Sequence, residues 1–189
     1  MMAILYYIGS YFIGNVLTGY LFVKIFHHSN LQISGSGNPG ARNAGRLYGK
    51  KAFIVTFLGD AFKGSLIIII GRLLVLTEVE QLIGLTLAVI GHIKPILFRF
   101  KGGKGISTFI GGVITFEPFV IPAIIIVFLL VYPFTKSFTL SGLASLCFIP
   151  FAIYFFQNAI SPIWVLALLI IIIILAHAEN LKKRIKHTS

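Results

Sequence analysis

A glycine-rich segment with two lysines, FKGGKGIST at residues 100–108, carries the residue types that bind an anion. Glycines at 102, 103 and 105 let backbone N–H groups turn toward one point, and Lys101 and Lys104 add positive charge beside them. A helix predicted to begin after these glycines would add its N-terminal dipole. The segment therefore predicts a phosphate-binding loop that lacks the GxxxxGK[ST] pattern, with a lipid-headgroup anchor as the alternative.

A second segment of the same kind is SGSGNPGARNAGR at residues 34–46. It combines four glycines and two asparagines with Arg42 and Arg46, whose planar guanidinium groups can each donate two hydrogen bonds to a phosphate. A loop without fixed structure is the alternative, but the density of Gly, Asn and Arg favours a binding site.

Charged residues also occur inside predicted membrane spans. Asp60 and Lys63 are three residues apart and share a helix face. A charge at the bilayer centre costs about 2.5–3.5 kcal/mol on insertion scales, so such residues are usually paired or functional. We interpret them equally as a structural ion pair or as part of a site. His92, at the end of the third predicted span, could donate to an anion, act as a general base or be structural.

The last predicted helix closes on HAEN, residues 177–180. His177 and Asn180 share a face at this spacing, and Glu179 is the acid that can be placed beside a site on that side. The scattered acids and histidines, together with a single cysteine, Cys147, predict neither a metal site nor a disulfide. No cofactor is expected.

The elements that must position these residues are apolar helices. The 189-residue chain is 57% hydrophobic and 11% charged, with a mean hydropathy of +0.97. A soluble core of this size could not cover so much apolar surface, so the composition predicts an all-α integral membrane protein with one domain over residues 1–189. About seven transmembrane helices are predicted, at residues 2–24, 52–76, 82–98, 106–116, 118–133, 140–156 and 162–178. The segment 106–116 is short for a full crossing.

The distribution of charge predicts the orientation of these helices. Sixteen basic residues stand against five acidic ones. If the N-terminus lies outside, basic residues fill the inner loops and the tail, whereas Glu78, Glu80 and Glu117 fall in outer turns with Arg72 nearby. The positive-inside rule therefore predicts N-out and C-in, with every glycine-rich motif on the cytoplasmic side. A nucleic-acid partner is not expected.

Taken together, the motifs resemble those of the PlsY family, the bacterial membrane acyl-phosphate:glycerol-3-phosphate acyltransferases. GSGNPGARN (35–43) is similar to GSGN-x-GATN, and DAFKG (60–64) to D-x-x-KG. GHIKPILFRFKGGKGIST (91–108) is similar to GH-x-x-P-x-F-x-x-FKGGKG-x-[AS]T, and HAENLKK (177–183) to H-x-EN-x-x-R. The order and spacing match over almost the whole chain. Arg42 departs from a family threonine, and Asn15 from a small residue.

The resemblance implies a seven-span enzyme of the bacterial inner membrane, multi-pass, with its active site on the cytoplasmic side. The 1-hydroxyl of glycerol 3-phosphate would attack a long-chain acyl phosphate and give lysophosphatidic acid and phosphate, the first acylation of phospholipid synthesis. The two substrates and membrane lipid are the implied partners. The oligomeric state is left open.

The resemblance also implies roles for individual residues. Catalytic roles fall to His92, Lys104, Asn180 and Glu179. Substrate or phosphate binding falls to Ser36, Asn38, Asn43, Arg46, Lys101, Gly102, Gly103, Gly105, Ser141 and His177. The alternative functions are a small anion or phosphate-ester transporter, whose entry site could use the same basic loops, and a lipid-binding structural protein.

Overall fold

The computed structural model describes residues 1–157 and 160–178, and within these ranges the chain is helical with no strand. The helices are α1 (Met2–Asn15), α2 (Thr18–His27), α3 (Ala41–Leu73), α4 (Glu78–Ile93), a 3₁₀ turn (Ile96–Phe98), α5 (Ile106–Phe116), α6 (Val120–Thr135), α7 (Phe138–Cys147), α8 (Ile149–Gln157) and α9 (Ser161–Ala176). The all-α prediction is therefore confirmed for the described residues.

Within the described ranges, four stretches are long and apolar enough to cross a membrane: Met2–His27, Ala41–Leu73, Glu78–Phe98 and Phe138–Phe156. Three shorter apolar helices, Ile106–Phe116, Val120–Thr135 and Pro162–Ala176, fall at the other predicted spans. A helix of 16 residues extends only roughly 24 Å at 1.5 Å per residue, less than a typical hydrocarbon core.

Three predicted elements differ from the structure. The first span is interrupted at Val16 and Leu17, whose backbone is extended. The end of the polar segment between the first two predicted spans, residues 41–51, is helical, because α3 begins at Ala41 and bends at Gly49, where φ is 85°. The span predicted at 140–156 is divided at Phe148, just before Pro150, a residue that has no N–H to continue the helical hydrogen bonds.

The described contacts group into two compact units, residues 1–112 and residues 113 onward. In the first unit, α1 packs against α4, and α3 packs against α2 and α4. Gly14 lies directly on the backbone of Ala88, so a side chain there would have no room. Ser10 is buried, and Thr18 contacts Gly59. Ser10, Gly14 and Thr18, which recur every four residues, therefore lie where helices of this unit pack closely.

The start of α4 carries a capping box. The Thr77 hydroxyl accepts a hydrogen bond from the Glu80 amide at 3.3 Å, and the Glu80 carboxylate accepts one from the Thr77 amide at 2.8 Å. These bonds satisfy donors that the first helical turn leaves open.

In the second unit, α6 packs against α7, and α8 packs against α9. The Ser137 hydroxyl caps α7 by accepting a hydrogen bond from the Leu140 amide at 3.4 Å. The prediction of a single domain stays a prediction.

Candidate active site

The polar segment between α2 and α3 is held by a small apolar core. Leu31, near the start of the segment, is fully buried against residues of the two flanking helices, namely Val23, Ala44 and Ala52. The Tyr48 hydroxyl donates a hydrogen bond to the Ser29 hydroxyl at 2.7 Å. The segment therefore has a defined structure, and the alternative of a loop without one does not describe it.

Asn43 determines the shape of the GSGN turn. Its side-chain oxygen accepts a hydrogen bond from the Ser36 amide at 3.0 Å, and its side-chain nitrogen donates to the Ser34 carbonyl at 2.9 Å. Asn43 is only 3% exposed. The structure gives this predicted substrate-binding residue a positioning role, because both ends of its amide hold the backbone next to Ser36.

The same turn requires glycine at two places. Gly35 and Gly37 have φ values of 62° and 71°, a region that side chains disfavour. Asn38 follows, and its side-chain oxygen accepts a hydrogen bond from the Gly40 amide at 3.3 Å. This bond turns the chain into α3, so that Ser36 is exposed, Asn38 is half-buried and Arg46 is exposed on the first turns of the helix.

The KGGKG loop folds back on the end of α4. The Gly103 amide donates to the His92 carbonyl at 3.0 Å, and the Gly102 amide donates to the Ile93 carbonyl at 3.2 Å. This differs from the predicted arrangement, in which the amides of Gly102, Gly103 and Gly105 turn together toward an anion. Two of the three close the helix end instead, and the predicted role of the loop in phosphate binding stays a prediction.

The turn before this loop is fixed by α1. The Tyr11 hydroxyl donates to the Lys94 carbonyl at 2.8 Å, and the Asn15 side-chain oxygen accepts a hydrogen bond from the Leu97 amide at 3.3 Å. Asn15, which departs from the family pattern, therefore contributes directly to the support of the loop.

The structure brings the polar segment between α2 and α3 into contact with the KGGKG loop. The Gln32 side chain donates to the Lys101 carbonyl at 2.6 Å. Sequence reasoning did not single out Gln32, because an isolated glutamine in a polar loop carries no pattern. Lys101 is exposed and Lys104 is half-buried, so the lysines differ in their surroundings.

A buried polar cluster lies beneath the KGGKG loop. Lys63 Nζ is 3.1 Å from Asp60 Oδ1, so the two side chains form an ion pair within α3. Lys63 Nζ is also 2.7 Å from His92 Nδ1, and it donates to the carbonyls of Gly14 at 3.1 Å and Val16 at 2.6 Å. The sequence predicted the pair but not its connection to His92 or to the interrupted first span.

The remaining predicted residues are divided between the second unit and the tail. Ser141 is fully buried, and its hydroxyl is 2.8 Å from the Thr135 hydroxyl. His177 is 4% exposed, and its Nδ1 donates to the Ile173 carbonyl at 2.8 Å. Glu179 and Asn180 lie outside the described residues. Among the described residues, no group of three or more His, Cys, Asp or Glu could hold a metal ion.

Fold and site together define an all-helical membrane-protein class in which basic, glycine-rich loops are built on the ends of apolar helices. Within that class, comparison with known protein families identifies one family. The family model described as glycerol-3-phosphate acyltransferase matches residues 4–187, and the chain belongs to this family.

Individual relatives are similar over nearly their full lengths. The glycerol-3-phosphate acyltransferase 1 of Bacillus cereus is 42% identical over 178 residues, which cover 94% of this chain and 96% of the relative. The corresponding protein of Desulfitobacterium hafniense is 36% identical over 182 residues, or 96% of this chain and 90% of the relative.

A solved structure has the same fold. The crystal structure of PlsY (YgiH), an integral membrane glycerol 3-phosphate acyltransferase, in its glycerol 3-phosphate form matches with a TM-score of 0.88 and 25% identity. The match covers 99% of this chain and 94% of that one.

Proposed function

We propose that this protein transfers the acyl group of a long-chain acyl phosphate to the 1-hydroxyl of glycerol 3-phosphate. The products are lysophosphatidic acid and inorganic phosphate. The observation that carries the proposal is the family match over residues 4–187, which includes both glycine-rich segments. Gln32, two residues before the first of them, donates a hydrogen bond to Lys101 in the other.

The chemistry suits a site made of basic side chains and backbone. An acyl phosphate is a mixed anhydride and is already activated, so the enzyme needs mainly to position two phosphate-bearing substrates and to balance their charge. In this proposal Ser36, Asn38, Arg46 and Lys104 hold the phosphates, with Lys101 nearby. The acyl chain lies among the apolar helices.

Residues closer to the C-terminus complete the site in this proposal. His177 and Ser141 contribute further polar contacts to the substrates. Asn180 and Glu179 stand beside the glycerol hydroxyls.

The proposal includes the path of the proton. The 1-hydroxyl oxygen forms a bond to the acyl carbonyl carbon, the bond from that carbon to the phosphate oxygen breaks, and the hydroxyl proton goes to the departing phosphate. His92 is poorly suited to accept this proton, because its Nδ1 lies 2.7 Å from the Lys63 ammonium. No acyl-enzyme forms.

We further propose a single membrane domain with seven spans, N-out and C-in, in the bacterial inner membrane. The support is the asymmetry of charge: exposed basic residues cluster in the segments that this topology places inside, including Lys24, Arg46, Lys50 and Lys101. The active site would then open to the cytoplasm, where glycerol 3-phosphate is available.

The function is tested with purified protein, glycerol 3-phosphate and palmitoyl phosphate, with lysophosphatidic acid measured as the product. Palmitoyl-CoA serves as the matched donor control. We expect product with palmitoyl phosphate alone. Product that forms only from palmitoyl-CoA would contradict the proposed donor. Uptake of glycerol 3-phosphate into sealed vesicles without acylation would instead indicate a transporter.

A further inference from the structure

The buried cluster beneath the KGGKG loop is built around an interrupted helix. In a continuous helix the Thr18 amide would donate to the Gly14 carbonyl. Here the Thr18 amide lies 3.4 Å from Asp60 Oδ1 and donates to it, whereas the Gly14 carbonyl accepts from Lys63 Nζ at 3.1 Å. The Asp60–Lys63 pair therefore takes over hydrogen bonds that the break between α1 and α2 releases.

Hydrogen-bond acceptors surround the ammonium group of Lys63. Its ammonium group has protons to donate and no lone pair to accept with. The neighbouring atoms are the carbonyl oxygens of Gly14 and Val16, the carboxylate of Asp60 and Nδ1 of His92, all within 3.1 Å. The lysine side chain is about 5% exposed and that of Asp60 about 1%, so water does not compete for these bonds.

This geometry determines the hydrogen-bonding state of His92. Because the lysine ammonium can only donate, the Nδ1 atom at 2.7 Å must accept. A neutral imidazole that accepts at Nδ1 carries its proton at Nε2. The Nε2 atom lies against Gly103, at the place that a side chain of residue 103 would occupy. His92 thus directs an N–H donor toward the centre of the KGGKG loop.

We propose that Lys63 is a positioning residue of the enzyme, which fixes His92 in the Nε2–H tautomer and orients that N–H toward the KGGKG loop. Asp60 and the interrupted first span hold Lys63 in place. The catalytic consequence rests on the proposed function, whereas the tautomer does not. A purely structural ion pair would hold α3 to α1 without determining which nitrogen of His92 is protonated.

The tautomer is measured by two-bond ¹H–¹⁵N correlation spectra of the full-length protein labelled with ¹⁵N-histidine. The His92 signals are those that disappear in His92→Gln. We expect the Nε2–H pattern in the wild-type protein. In Lys63→Met we expect protonation at Nδ1, because Nδ1 loses its donor and Asp60 Oδ1, 3.8 Å away, can then accept from it. Wild-type His92 protonated at Nδ1 would refute the proposal whether or not the variant folds.

Kinetics provide the second readout. We expect Lys63→Met to lower kcat on the order of 10- to 100-fold. In that variant His92 is protonated at Nδ1 and no longer presents an Nε2–H donor to the KGGKG loop. Lys63→Arg, which keeps a donor-only cation, should retain the Nε2–H pattern and recover part of kcat. Lys51→Met is the matched control, since Lys51 is exposed on the same helix.

The outcomes separate the two proposals. A wild-type protein that shows the Nε2–H pattern but makes no lysophosphatidic acid contradicts the proposed function and leaves the tautomer assignment standing. A folded Lys63→Met protein that keeps the Nε2–H pattern, with or without loss of activity, contradicts the positioning role alone.

Discussion

The most specific prediction from the structure concerns the substitution Gly103→Ala. Gly103 is buried, and a Cβ atom at this position would overlap Nε2 of His92 and contact the neighbouring ring carbons. The backbone of Gly103 is not in the left-handed region, so the reason for glycine here is space. His92 cannot move away easily, because Lys63 holds its other ring nitrogen at 2.7 Å.

The size of the effect follows from the overlap. Carbon and nitrogen atoms that are not bonded rest about 3.5 Å apart, so the loop or the imidazole must shift by about 1 Å or more. Overpacking of this kind costs about 1–3 kcal/mol of folding free energy. A displacement of about 1 Å at a catalytic group can lower the rate by about 100-fold, which corresponds to about 2.7 kcal/mol in the barrier.

The assay measures kcat/KM for acylation of glycerol 3-phosphate, together with thermal unfolding of monodisperse protein. Gly9→Ala is the control, because Gly9 lies in α1 of the same unit and no atom lies within 4 Å of its added Cβ. We expect normal activity for Gly9→Ala and a loss of about 100-fold for Gly103→Ala. Activity of Gly103→Ala within twofold of wild type would refute the close contact between the loop and His92.

Three further predictions concern other parts of the first unit. Lys104→Ala should remove most activity while the protein still inserts into membranes, with Lys51→Ala as the exposed control, and full activity would exclude Lys104 from the site. Asn43→Ala removes both bonds that shape the Ser36 turn, at about 0.5–1.5 kcal/mol for each of these part-buried bonds. Its KM for glycerol 3-phosphate should rise more than kcat falls, and an unchanged KM contradicts the positioning role. Thr77→Ala should lower stability by about 1 kcal/mol through loss of the capping box, without changing kcat, as thermal unfolding and turnover would show.

The helical segments were predictable because a membrane leaves the backbone few choices. A long apolar run must satisfy its own hydrogen bonds, so apolar runs predicted helical segments, and the predicted 106–116 segment coincides with α5 (Ile106–Phe116). The interruption at Val16 and Leu17 was not predictable in this way. Neither residue breaks helices by itself, and the break is stabilised by Lys63 and Asp60, which are far away in sequence.

The candidate site also combines features that the sequence predicted with features that it did not. The density of glycine in the KGGKG loop predicted backbone N–H groups that turn toward one point, but composition could not tell which acceptors those groups meet. The structure shows the Gly102 and Gly103 amides bonded to the end of α4 and the imidazole of His92 packed against Gly103, and anion binding by the loop stays a prediction. Asn43 and Gln32 gave no such signal, since their roles come from bonds to backbone carbonyls and amides.

The buried ion pair and the interrupted helix each explain the presence of the other. An exposed carbonyl in hydrocarbon costs several kcal/mol, so the Gly14 and Val16 carbonyls need a donor. An unpaired lysine within a membrane is also costly, so Lys63 needs acceptors beyond a single carboxylate. The carbonyls and the lysine satisfy each other's need for a hydrogen-bond partner. The Lys63 ammonium group can therefore remain buried beneath the KGGKG loop. Removing Asp60 alone should therefore damage the turn at Val16 as well as the charge balance of Lys63, since the Thr18 amide would lose its acceptor.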